Sequence, residues 1–228
     1  MAQRVDGDLP QAVIDCDRDN TDRSCAEGLP ARLLADGAAI QDGYLSLSRI
    51  RELKACGELR RARGEFGAAR VGADQRLQRR EEIRGDLTCW FGEPLFAEER
   101  RLLGDLERLR LDLNRQGFLG LFDLELHYAW YPPGAGYARH VDQLQGRDQR
   151  MVSIILYLNE AWEPGAGGEL RLFDHEGARD IEPVAGRLVC FLTEGREHAV
   201  LPTRQGRSSI SGWFRRRHRA AGSLRQDR

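Results

Sequence analysis

His140 and Asp142 stand two residues apart at the end of the stretch Tyr131-Pro132-Pro133-Gly134-Ala135-Gly136-Tyr137-Ala138-Arg139-His140-Val141-Asp142. Side chains two apart on a strand leave the same face, so an imidazole and a carboxylate can grip one metal ion from one side. Taken alone, the pair equally describes exposed polar residues at a strand end. His198 is the best third ligand; His127 and His175 are its rivals, and His218 falls in the C-terminal tail. Two imidazoles and a carboxylate on one face of an octahedral ion leave three positions open. That donor set suits iron(II), substrate and dioxygen.

What favours His198 over its rivals is the arginine nine residues downstream. Arg207 precedes Ser208-Ser209-Ile210-Ser211-Gly212-Trp213-Phe214, which reads as a strand. An arginine lining an apolar barrel needs an anion, and its planar fork matches a carboxylate with two hydrogen bonds. The distal carboxylate of 2-oxoglutarate is the expected anion. The other end of that molecule, its 2-oxo and C1 carboxylate oxygens, would then reach the metal. Tyr157 is a second donor for the distal carboxylate. The competing reading of Arg207 by itself is a surface ion pair.

These residues need a scaffold that brings distant segments together. After Gly120 short apolar runs alternate with Gly, Pro and Asp turns: Leu124–Tyr131, Met151–Leu158, Glu169–Phe173, Arg187–Leu192 and Ser209–Phe214. This spacing predicts a sandwich or jelly roll. His140 follows the first run and His198 the fourth, positions that can meet at one mouth of a barrel. Upstream, Pro30 opens a short helix stopped by Gly37. Residues 38–40 predict a short strand, and Ile50, Leu53, Cys56 and Leu59 mark one face of a second helix. Leu102, Leu106, Leu109 and Leu113 give the clearest helix, over residues 98–114, with a stripe that predicts core packing. Residues 63–80 carry Gly and Arg without an apolar stripe and read equally as a mobile loop or an ordinary surface connection; residues 83–90 resume a strand-like pattern.

Composition sets outer bounds. The chain has 228 residues, 35 basic and 36 acidic, for a net charge of −1. No global field points to nucleic acid or a membrane surface. Lys54 is the one lysine, which we read as compositional bias. Five scattered cysteines without a Cys-x-x-Cys pair argue against a disulfide framework or structural zinc and suit a reducing cytoplasm. No apolar signal core or membrane-length run is present. The expected organisation is a flexible leader over 1–26, one domain over 27–215 with its barrel at about 120–215, and an Arg-rich solvated tail over 216–228. Nothing in the sequence sets the oligomeric state.

Several stretches together resemble the 2-oxoglutarate/Fe(II)-dependent dioxygenases, and within them the prolyl 4-hydroxylases of the hypoxia-sensing (EGL-nine) type and their bacterial relatives. They are Ile83-Arg84-Gly85-Asp86 with Trp90, Tyr131-Pro132 with Gly136 to Asp142, and Tyr157-Leu158-Asn159 with Trp162. Further on come Gly167-Gly168-Glu169-Leu170-Arg171, Asp180-Ile181-Glu182-Pro183, and His198-Ala199-Val200 with Pro202 and Arg207. The resemblance spans about residues 30–215. It implies a mainly β double-stranded β-helix (jelly roll, cupin-like) with N-terminal helices packed on one sheet. It implies iron on His140, Asp142 and His198, and 2-oxoglutarate on Arg207 and Tyr157, with Tyr131, Leu170, Ile155 and Val200 lining that pocket. Arg139 and Trp213 match positions on the substrate side, and residues 63–80 match a loop that closes over the peptide. It further implies C4 hydroxylation of a prolyl residue in a protein, first among candidates a translation elongation factor. Succinate and CO2 would be released, with L-ascorbate as reductant. Hydroxylation of another residue or a small molecule, and a non-catalytic metal-binding module, are the alternative readings.

Overall fold

A computed structural model of the chain describes residues 28–69, 83–142, 149–175 and 177–217. The leader, most of the 63–80 loop and nearly all of the tail lie outside these residues. Three helices are followed by the barrel: α1 (Gly28–Asp36), β1 (Ala38–Gln41), α2 (Leu47–Ala62), β2 (Gly67–Ala68), β3 (Leu87–Trp90), α3 (Ala97–Gly117), β4 (Leu121–Tyr131), β5 (Tyr137–His140), β6 (Arg150–Tyr157), β7 (Leu170–Asp174), β8 (Gly177–Ile181), β9 (Leu188–Leu192), β10 (His198–Val200) and β11 (Arg207–Arg216). The major sheet has the order β1-β9-β6-β11-β4-β3-β2 and the minor sheet β5-β10-β7-β8. All named strand pairs are antiparallel, so the jelly-roll expectation holds.

The helices cover the outer face of the major sheet. Leu102, Leu106, Leu109 and Leu113 of α3 are all essentially sealed from water, and they share one core with Leu29 and Leu33 of α1 and Ile50 and Leu53 of α2. Each such leucine contributes about 1.5–3 kcal/mol of burial. The stripe expected on α2 drifts: Leu59 is exposed, and Gly57 and Arg60 take the buried side. Arg60 reaches across to Glu99 with two hydrogen bonds of 2.7 Å, and the same carboxylate accepts from the Phe96 amide at the start of α3. One buried ion pair thus fixes the α2–α3 crossing and caps the helix.

Strand β6 explains why the apolar runs look continuous. Val152, Ile154 and Leu156 point to the helices, whereas Ile155 and Tyr157 point into the barrel against Leu170, Leu172, Ile181, Val189 and Phe191. Both faces are buried, so alternation disappears. The barrel interior is therefore apolar wherever the site residues do not enter it.

Candidate metal and anion site

The structure corrects where the first ligands lie. His140 is the last residue of a strand of its own, β5, and His198 is the first residue of β10; neither trails a longer strand. Asp142 stands two residues beyond β5, so the pair is presented by a strand end and the bend after it, not by one strand face. β5 escaped sequence reading because its four residues carry no apolar run, and β10 because three residues carry no measurable periodicity.

β10 pairs with β5 so that His198 lies opposite His140. The ligand atoms of His140, Asp142 and His198 all lie within 4.8 Å of one another, and these three form the candidate metal group among the described residues. Asp142 oxygens sit 3.7 Å from His140 Nε2 and 3.6 Å from His198 Nε2. His127 and His175, the rival ligands, are outside the group.

The surroundings of the triad fit a metal ion. His140 Nδ1 is 2.8 Å from the Ala138 carbonyl and His198 Nδ1 is 3.2 Å from the Arg196 carbonyl. A carbonyl can only accept, so each Nδ1 carries the proton and each Nε2 keeps a free lone pair aimed at the shared centre. Ser153 donates to Asp142 at 2.5 Å, fixing the carboxylate. Burial alone would raise the Asp142 pKa; His198, His140 and the Ser153 hydroxyl more than offset it and hold the carboxyl well below its usual range. Burial pushes His198 down, towards the neutral form a metal needs, with Asp142 opposing and His140 adding to the shift.

Side chains that drew little notice in the sequence hold the ligands. Tyr137 stacks on His140 at 3.5 Å, and Phe191 meets His198 edge-on at 4.8 Å. Arg84 lies 4.7 Å from the Tyr137 ring and is itself gripped by the buried Asp86 at 2.6 and 2.9 Å. Ser153 had a signal: a hydroxyl inside an apolar run, in phase with Ile155 and Tyr157.

At the other end of the cavity lies Arg207, 1% exposed. Its Nε donates to the Gly168 carbonyl at 2.8 Å, and its guanidinium lies 4.8 and 5.1 Å from the rings of Tyr131 and Tyr157. It has no carboxylate partner among the described residues. The Tyr157 hydroxyl is buried without a hydrogen-bond partner. Gly168 can present its carbonyl here because φ is +72° and a Cβ would meet Thr203 and Trp162 at 3.1 Å. A buried cation without a counter-ion costs several kcal/mol, so the arrangement calls for an anion from outside. The surface ion pair considered for Arg207 is not what forms.

The triad and Arg207 open on one cavity of about 570 Å³, also lined by Tyr131, Ile155, Leu170, Val200 and Trp213. Tyr157 is not among the residues lining this cavity, although its ring lies 5.1 Å from the Arg207 guanidinium. Trp213 is buried, with the Arg150 guanidinium 3.5 Å above its ring. Arg139 is turned away from the cavity: it pairs with Glu197, and its guanidinium lies over Phe173 at 4.1 Å.

Comparison with known proteins places this geometry. Residues 126–215 match the model of the 2OG-Fe(II) oxygenase superfamily. The human prolyl hydroxylase EGLN3 is 33% identical over 184 residues, which cover 75% of this chain and 72% of the relative. The crystal structure of a Pseudomonas putida prolyl-4-hydroxylase is 41% identical with a TM-score of 0.77, covering 85% of this chain and all of that one. A Trichoplax adhaerens prolyl hydroxylase in complex with a hypoxia inducible factor oxygen degradation domain peptide fragment is 26% identical, also with a TM-score of 0.77, covering 86% of this chain and 91% of that one.

Proposed function

We propose, starting from the fact that the chain belongs to the 2OG-Fe(II) oxygenase superfamily and is homologous to the EGLN prolyl hydroxylases, that it hydroxylates a peptidyl proline at C4 with iron(II), 2-oxoglutarate and O2. His140 and His198 would hold the iron through Nε2 and Asp142 through its carboxylate. Arg207, with the Tyr157 hydroxyl, would bind the distal carboxylate of 2-oxoglutarate. Tyr131, Leu170, Ile155 and Val200 would wall that pocket. Bound iron with 2-oxoglutarate and O2 supplies the oxidation, in which 2-oxoglutarate becomes succinate and CO2 and one oxygen atom enters the prolyl C–H bond.

The chain's own part is placement. The observation that carries this reading is Arg207, without a carboxylate partner among the described residues, at one end of the cavity with the triad at the other. Together they set an anion-binding group and a metal-binding group in one cavity. Ile155, Leu170 and Val200 supply the apolar part of the wall around the proposed 2-oxoglutarate site. We read Trp213 as part of the substrate side. Arg139, held by Glu197, would touch substrate from the rim outside the cavity.

The substrate in this reading is a prolyl-containing protein, with a translation elongation factor as the first to test. Ascorbate would serve as reductant. We assign the enzyme to the cytoplasm. Its described cysteines, Cys56, Cys89 and Cys190, are free thiols, and no helix among the described residues is long and apolar enough to cross a membrane. The test is incubation of host proteins with enzyme, iron(II), 2-oxoglutarate and O2, followed by mass spectrometry. The expected result is one added oxygen on a proline with matched succinate release. Succinate release that no proline-containing protein stimulates would sink the prolyl assignment.

A further inference from the structure

His127 has no part in the metal group, yet it lines the same cavity. It sits in a row of cross-strand partners, Trp90 on β3, His127 on β4, Ser211 on β11 and Ile155 on β6. The neighbouring row holds Trp213 and Ser153, and Ser153 anchors Asp142. Strands lie about 4.8 Å apart, so His127 is roughly 10 Å to the β3 side of the strand that supports the metal group. On that side the rim residue is Trp90, half exposed.

The ring is held in a triangular aromatic cluster. Its centroid is 4.7 Å from Trp90 and 5.5 Å from Trp213, and the two indoles are 6.3 Å apart. His127 is 2% exposed, and its Nδ1 is buried with no partner. The Trp213 Nε1–H beside it is also buried and unpaired. Buried polar groups are nearly always satisfied, so two orphans side by side in a cavity wall call for an explanation.

Burial drives the His127 pKa down to about 3, with Arg84 and Arg150 adding to the shift and Asp86 and Asp142 opposing it. The imidazole is therefore neutral and carries one N–H. Placing that proton on Nδ1 would bury an unpaired donor, which is costlier and rarer than burying an unpaired acceptor. The proton belongs on Nε2, the nitrogen left to meet the cavity.

We propose that His127 is a substrate-binding residue whose Nε2–H donates to a backbone carbonyl of the peptide flanking the target proline. This rests on the prolyl reading above. Proline has no N–H, so the segment around it offers acceptors in excess of donors. A wall that recognises such a segment must supply donors, and the His127 Nε2–H is an unpaired one, beside a Trp213 Nε1–H that is sealed within the wall. A neutral donor also suits a neutral carbonyl: it selects the peptide backbone over a carboxylate side chain, which the nearby Arg84 and Arg150 would otherwise attract.

The test uses the full chain with iron(II) and 2-oxoglutarate, and two sets of probes. One is a hypoxia inducible factor oxygen degradation domain peptide; the other is peptides tiled over host proteins that gain oxygen in the enzyme's presence. In His127→Leu the KM for peptide rises about tenfold, the loss of one hydrogen bond. The change falls on KM rather than kcat, and the KM for 2-oxoglutarate stays put. His127→Gln, which keeps a donor, recovers most of the loss. Thermal stability of His127→Leu is equal to or above that of the parent, because an orphaned polar group has left the interior. An unchanged peptide KM in His127→Leu overturns the inference, as does a glutamine variant no better than leucine, or a leucine variant that is markedly less stable. If the parent enzyme releases succinate but oxidises no proline, the prolyl reading fails first and this one with it.

Discussion

His198 and His140 face each other in register across β10 and β5, with ring centroids 4.1 Å apart. Two imidazoles so close, each with Nδ1 engaged by a carbonyl two residues upstream, present two lone pairs to one point. Strand pairing, not side-chain flexibility, sets their spacing. Replacing either with alanine should abolish iron binding and turnover while leaving the fold intact, since both lie at strand ends. Iron content after reconstitution and circular dichroism check this together.

Ser153→Ala tests the support of the carboxylate. The Ser153 hydroxyl is the hydrogen-bond donor to Asp142 that comes from the sheet floor. Losing an outer partner of a metal ligand costs roughly 10–100-fold in metal affinity or activity. The expected result is weaker iron retention with a nearly unchanged melting temperature. Iron affinity equal to the parent's would show that the triad holds its own geometry.

Arg207→Met should separate binding from stability. The side chain is fully buried without a counter-ion among the described residues, so its removal leaves the 2-oxoglutarate-free protein as stable as before or more so. On the proposed function, the KM for 2-oxoglutarate should rise at least a hundredfold, the loss expected for one charge-assisted double hydrogen bond. In the parent, 2-oxoglutarate at 100 times its Kd raises stability by about 2.7 kcal/mol; in the variant that shift disappears. Melting curves with and without the ligand measure both effects.

Apolar elements were legible in the sequence, and short polar ones were not. The α3 stripe and the five apolar runs of the barrel stand out from their surroundings, as does the four-residue β1. β5 and β8 are largely polar and exposed and β10 has three residues, so nothing marks them until partners are known. The candidate ligands His140, Asp142 and His198 could be chosen from residue type, spacing and order because metal chemistry restricts which side chains serve, and the structure brings the three together. The parts that orient them are generic: Tyr137, Phe191 and Ser153 become significant only through contacts made far along the chain. Leu59 shows the opposite failure. Steps of three residues drift round a helix of about 3.6 residues per turn, so Leu59 ends about opposite Ile50 and faces solvent, while Gly57 and Arg60 continue the buried side.

His127 also sets an acid limb on stability. Its folded-state pKa, about 3, is depressed below the ordinary value of 6.5 by burial. Between these two values the unfolded chain binds a proton that the folded chain refuses. Stability is then fully present above pH 6.5 and is lost as pH falls towards 3. The loss is on the order of a few kcal/mol over that window. Denaturant unfolding of the parent between pH 7 and 4 should show this decline. In His127→Leu the part due to this group vanishes, so the two proteins' stabilities diverge as pH falls, the variant becoming the more stable. Parallel curves for the two proteins would mean that His127 takes up its proton without leaving the fold, and that the ring is less sealed than its burial indicates.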